Sequence, residues 1–223
     1  MTAYKGKKNP HHVFITCKPH PDGIKNWLLM DFSGYFLWFS QFCCNAAPEE
    51  TYKTLFQMTN HLTPGSLICA DSYFGSMMAM ERLVKSGKDC LFSYNKSCPV
   101  MLFKDWTSKD LKNGQSKSLW GEVEGADEVK ILFVANSFQS EGKTLCTLST
   151  VYSDELKKTE LEVLIDDNIE EDQAQYTILE ELQPEVQNKY NEIMGFVDQA
   201  DQHILTLLSP HCKFHWSAAE KIW

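Results

Sequence analysis

The chain has 223 residues, a mass of 25.6 kDa, 43% hydrophobic residues, eight cysteines and a net charge of −9. That length and apolar content suit one large domain, or one domain carrying an insertion, and exclude a disordered chain. No apolar run approaches the ~20 residues of a bilayer-crossing helix, no secretory leader opens the sequence, and the acidic balance excludes a domain that holds nucleic acid by its own charge.

Residues 1–25 are polar and broken by Pro10, Pro19, Pro21 and Gly23, which predicts an arm with one short strand around 13–16. Two aromatic and aliphatic runs follow, 26–32 and 35–43, and Ser33-Gly34 between them predicts a β-hairpin with a two-residue turn, Asp31 just before it. Over 49–61, Tyr52, Leu55, Phe56 and Thr59 recur at helical spacing, and Pro64-Gly65 ends the pattern. The run 67–70 then predicts a short buried strand that delivers Asp71 at its carboxyl end. Ser76 is placed to cap a helix striped by Met77, Met80, Leu83 and Val84 and stopped at Gly87, and 90–94 predicts the next strand. Strand, strand, helix, strand, helix, strand is the order of an α/β layered domain.

Beyond residue 100 the pattern changes. A helix-like start near Trp106 and a turn at Asn113-Gly114 precede three alternating runs, 118–123, 129–135 and 144–151, which predict antiparallel strands. From Asp154 to Glu185 twelve acids stand against Lys157 and Lys158, a net −10; taken from the total of −9, this leaves +1 for the rest of the chain. So charged a stretch predicts a flexible solvated loop, with DNA mimicry or a basic partner as the sharper reading of segment 154–185. Order resumes at Pro184, where Val186, Tyr190, Ile193, Met194, Val197, Ile204 and Leu208 form a helical stripe as far as Pro210.

An acid at the end of a buried strand is costly unless a cation meets it. Asp31 and Asp71 both stand in that position, and Asp198 lies three residues before Asp201, on one face of the last helix. Taken singly, each of the first two is better read as a turn former or cap, and the last two as a solvated helix face. Taken together, Asp31, Asp71 and Asp198 have the chemistry of a hard-metal site for phosphoryl transfer. His211, Cys212 and His215 do not have the spacing of a zinc finger, His11-His12 reads as a surface pair, and Met77, Met78 and Met80 read as core filler. The cysteines mostly fall in or beside apolar segments, which suits small hydrophobes of a soluble protein in a reducing compartment.

Four blocks carry a resemblance. They are Tyr4-Lys5-Gly6-Lys7 with Lys18-Pro19 and Gly23-Ile24-Lys25 before Asp31; Cys69-Ala70-Asp71-Ser72-Tyr73-Phe74-Gly75-Ser76; Leu148-Ser149-Thr150; and Tyr190-Asn191 with Met194-Gly195-Phe196-Val197-Asp198 and Asp201-Gln202. In this order they resemble the catalytic domain of piggyBac-type transposases and their host-derived relatives, over residues 4–223. The family pattern differs at Ser72 (usually Asn), Gly75 (Thr) and Phe196 (Gly), and 214–223 resembles a family helix cut short.

The resemblance implies an α/β, ribonuclease H-like fold with a mixed sheet, interrupted by a β-rich and acidic insertion: 1–96 as the first part, 97–184 as the insertion and 185–223 as the helical end. It implies Asp31, Asp71 and Asp198 as catalytic carboxylates and metal ligands, with Asp201 as an auxiliary acid. They would hold two Mg²⁺ or Mn²⁺ ions roughly 3.5–4 Å apart, and no organic cofactor. It also implies DNA as partner, held weakly or only with regions this chain lacks, a homodimer as the assembly, no membrane, and a nuclear location. The function implied is DDE-type DNA strand cleavage and transfer. An inactive transposase-derived interaction domain and a stand-alone ribonuclease H-like nuclease are the alternatives.

Overall fold

A computed structural model describes residues 2–3, 12–14, 22–41, 48–94, 111–112, 114–126, 129–137, 144–164 and 176–207. The chain divides into two compact units, one of Met1–Thr54 with Gly195–Trp223, the other of Leu55–Met194.

In the first unit, β1 (Thr2–Ala3), β2 (His12–Phe14) and β3 (Asp22–Ile24) form a three-stranded antiparallel sheet of order β1-β3-β2. The polar arm is therefore more structured than its sequence predicts. Pro10, Pro19 and Pro21 fall between the strands, so each short segment keeps its backbone donors for pairing. The hairpin forms from β4 (Asn26–Met30) and β5 (Phe36–Gln41), paired from Asn26↔Gln41 to Met30↔Phe36 with an irregularity at Leu29/Met30. Its connection is longer than the predicted two-residue turn and runs over 31–35. Asp31 donates its backbone N–H to the Tyr35 carbonyl at 3.0 Å, and Gly34, at φ +84°, donates to the Asp31 carbonyl at 3.1 Å.

Helix α1 (Pro48–Thr59) ends two residues earlier than expected, before the Pro64-Gly65 turn, and β6 (Leu67–Ala70) follows. Helix α2 (Met77–Lys85) begins where Ser76 accepts the Ala79 N–H at 3.1 Å, and its apolar stripe Ala79, Met80, Leu83 and Val84 is buried. Gly87, at φ +75°, closes it and turns the chain into β7 (Asp89–Ser93). β6 and β7 pair in parallel, the relation that a helical crossover permits.

The three alternating runs form β8 (Ser116–Glu122), β9 (Lys130–Ser137) and β10 (Thr144–Ser149), an antiparallel meander, as predicted. These strands are not a separate sheet. β10 pairs antiparallel with β7, giving a mixed five-stranded sheet of order β6-β7-β10-β9-β8. β9 is buried from Ile131 to Ser137, whereas the edge strand β8 is largely exposed, with Leu119 and Trp120 open to solvent.

The acidic stretch is a correction to the sequence reading. Two of its parts are strands, β11 (Leu156–Leu164) and β12 (Tyr176–Pro184), paired antiparallel over nine residues. Backbone pairing needs no apolar face, and the charges are placed to tolerate it. Glu160 faces Glu180 in the register, an unfavourable pair, but Lys158 reaches the Glu180 carboxylate at 2.9 Å. The rest of the stretch expected as a loop, 165–175, lies outside the described residues.

Helix α3 (Glu185–Leu207) follows at once. Its first turn is fixed by Glu185, whose carboxylate accepts the Ser153 hydroxyl (2.7 Å) and amide (3.2 Å) and pairs with Lys157. A carboxylate there also complements the helix dipole. Val186 and Tyr190 then pack with Leu91 of β7 and Leu132 and Val134 of β9, with Ile193 and Met194 against that cluster. Fully burying one such Leu or Val is worth about 1.5–3 kcal/mol.

Ser93, the last residue of β7, joins two of these elements. Its hydroxyl accepts the buried Tyr190 hydroxyl hydrogen bond at 2.9 Å. Its carbonyl lies beneath Gly75, where a Cβ would stand 1.9 Å from the oxygen. The turn after β6 can thus seat on β7 only with glycine at 75.

Gly75→Ala is expected to cost about 3 kcal/mol, the upper range for an overpacked site, in urea unfolding; a loss below about 0.5 kcal/mol, typical of ordinary surface substitutions, would contradict that close approach. The Lys157 and Ser153 contacts hold the Glu185 carboxyl at about 2, down from 4.5. Its contribution is therefore fully present above about pH 4.5 and lost as pH falls towards 2. Glu185→Gln should lower stability by about 1 kcal/mol at neutral pH and flatten the acid limb of the stability profile over that window, read by thermal melts from pH 2 to 7.

Candidate active site

Asp31 follows β4 directly and is held by the turn it starts. Its Oδ1 accepts three hydrogen bonds, from the Ser33 hydroxyl (2.6 Å), the Ser33 amide (2.9 Å) and the Tyr35 amide (2.9 Å). These favour the charged form. The Ser33 hydroxyl first, then the Tyr35 amide, hold the carboxyl below its usual range. One oxygen is thereby saturated and the carboxylate plane fixed. Among the described residues nothing donates to Oδ2.

Asp71 follows β6 in the same manner. Its carbonyl accepts the Phe74 and Gly75 amides at 3.1 and 3.0 Å, and its Oδ1 accepts the Tyr73 amide at 3.0 Å. The side chain is exposed. Both acids thus sit in side-chain-to-backbone turns at strand ends, the turn-forming role that a single aspartate predicts, and each still has an oxygen with no described donor. Ser72, where the family pattern has Asn, is exposed, and Gly75, where it has Thr, is the residue seated on Ser93.

Asp198 and Asp201 both lie on α3, eight and eleven residues beyond Tyr190. Their side chains fall outside the described residues, as do His211, Cys212 and His215. Asp31 and Asp71 belong to different units. Among the described residues no three His, Cys, Asp or Glu side chains gather into a metal-holding group. The donor chemistry nonetheless suits a hard cation: exposed carboxylate oxygens, with Asp31 held in its charged form. The neighbouring thiols are poor competitors, since burial pushes Cys69 up to about 12 and raises Cys90 as well.

Ser93 was not singled out by the sequence. It stands at the carboxyl end of an ordinary buried strand, and nothing local to it signals that the Asp71 turn and α3 both rest there. Tyr190 was visible only as part of the helical stripe.

The comparisons with known proteins agree with this architecture. A cryo-EM structure of the piggyBac transposase synaptic complex with hairpin DNA is similar in fold, with a TM-score of 0.61 at 18% identity over 87% of this chain. The match covers 36% of that protein, so the present chain spans about a third of its length. No curated protein matches. The fold is the ribonuclease H-like α/β type with a mixed sheet. A family described as Transposase IS4 matches residues 1–219, almost the whole sequence, and the chain belongs to that family.

Proposed function

We propose that this chain is the catalytic part of a DDE-type transposase, with Asp31, Asp71 and Asp198 as the metal-holding carboxylates and Asp201 assisting. The observation that carries the proposal is that two acids far apart in sequence each end a strand with an open carboxylate oxygen, in a chain of a transposase family. Two divalent ions, Mg²⁺ or Mn²⁺, would supply Lewis-acid activation of water or a DNA 3′-hydroxyl and charge stabilisation at the leaving oxygen.

The chain's own part is positioning. Ser33 and Tyr35 hold Asp31 ionised and orient it. The 71–75 turn, seated on Ser93, presents Asp71 beyond the end of β6. Tyr190 fixes the start of the helix that carries Asp198. Asp201, one turn further along, can accept a proton or steady its neighbour. No side chain need form a covalent intermediate, because phosphoryl transfer of this kind rests on geometry and charge neutralisation.

The same reading proposes a DNA substrate, contacted together with segments beyond those described, a homodimer as the assembly, and action in the nucleus. The acid-rich β11–β12 ribbon is too negative to approach a DNA backbone and would face away from it or meet a basic partner.

Thermal unfolding in Mn²⁺ or Mg²⁺ tests the site. Divalent ions should raise the midpoint of the wild type, at a hundred times the dissociation constant by the equivalent of about 2.7 kcal/mol. They should leave Asp71→Ala and Asp31→Asn unmoved. Equal shifts in all three proteins would show that these carboxylates are not the ligands, and would favour the inactive, transposase-derived reading.

A further inference from the structure

A cavity of about 340 Å³ opens in the second unit between the ends of α1 and α2, with Phe56, Asn60, Arg82, Ser86 and Lys88 in its lining. Lys88 directly precedes β7, and the register Leu67↔Asp89 puts it level with the start of β6. Asp71 follows the other end of β6. The cavity is therefore at the opposite end of the parallel strand pair from that carboxylate.

Its chemistry is unusual for a surface recess. Lys88 is only 7% exposed. Its Nζ donates to the Ser86 hydroxyl at 3.2 Å, and among the described residues it has no ion pair. The Arg82 guanidinium stands 5.4 Å from the Phe56 ring centroid and likewise has no carboxylate partner among the described residues. The nearest acid in sequence, Asp89, is engaged by the residue that follows β10: its Oδ1 accepts the Thr150 hydroxyl at 3.2 Å.

The ordinary reading of cations at this place is that they answer the free carbonyls of a helix C-terminus. Three of the last four, those of Arg82, Leu83 and Val84, are already taken. Ser86 donates its amide to the Arg82 and Leu83 carbonyls and its hydroxyl to Leu83, Gly87 donates to Val84, and Lys88 donates its own amide to Leu83. Among the described residues the Lys88 ammonium thus has one neutral hydrogen-bond partner and no counter-charge, which is less than burial of a charge requires.

We propose that this cavity is an oxyanion site that takes a phosphate group. Lys88 and Arg82 neutralise it from two sides, and the Asn60 amide supplies a neutral donor. Phosphate suits the lining because two cations and an amide offer several donors to a tetrahedral anion. Two sources share this chemistry, a phosphodiester of a nucleic-acid backbone and a free phosphate. The proposal does not rest on the carboxylate site and stands or falls apart from it.

The test is thermal unfolding of the whole chain in inorganic phosphate against chloride at equal ionic strength, with duplex DNA binding measured across a salt series. Phosphate should raise the wild-type midpoint. Lys88→Met should melt higher than wild type without phosphate, because a buried charge with no counter-charge among the described residues is removed, and should lose the phosphate response. Arg82→Gln, at an exposed position, should fold normally and lose most of that response. If the source is a nucleic-acid backbone, both variants should also reduce the salt slope of duplex binding by about 1; an unchanged slope with the phosphate response lost identifies a free phosphate. A phosphate shift equal in all three proteins, or no response to phosphate together with unaltered duplex binding, would overturn the proposal.

Discussion

One residue at the end of a central strand holds together what the second unit contributes to the proposed chemistry. The Ser93 carbonyl allows the turn after β6 to approach only because position 75 has no side chain, and the Ser93 hydroxyl receives Tyr190 from α3. Both contacts lie in a tightly packed setting, with Leu91, Phe92 and Leu132 fully buried nearby. Interiors of that density deform little. The Asp71 turn and the first half of α3 consequently share one rigid support, and glycine occupies position 75 for a steric reason.

Within its own unit, each of the two acids is held by local turn chemistry. Asp31 and Asp71 each use Oδ1 to bind backbone amides two or four residues ahead, which fixes the side chain without a cation and leaves the second oxygen for one. The dull role of a turn-forming aspartate and the functional role of a metal ligand are therefore compatible in the same residue. That is why a single strand-end aspartate is ambiguous in sequence, while the ordered set of three is informative.

Much of the fold was legible because the signals were local. Ser76, the stripe through Met80 and Leu83, and Gly87 predict α2 from its cap to its stop, and the four residues of β6 follow from one short apolar run. The hairpin turn was misjudged in length because the Asp31 side chain competes for the amides that a two-residue turn would use. The β11–β12 ribbon was missed because so acidic a run shows no clear hydrophobic periodicity, whereas its two strands pair along nine residues of backbone. Least legible of all was Ser93, whose role comes entirely from residues 18 positions before it and 97 after it.

The most direct measurement of this account is a double-mutant cycle between Ser93→Ala and Tyr190→Phe, read by urea unfolding. A shared buried hydrogen bond predicts a coupling of about 1 kcal/mol between the two positions. Strict additivity, with a coupling within about 0.3 kcal/mol of zero, would contradict the claim that Ser93 anchors α3 beside the Asp71 turn.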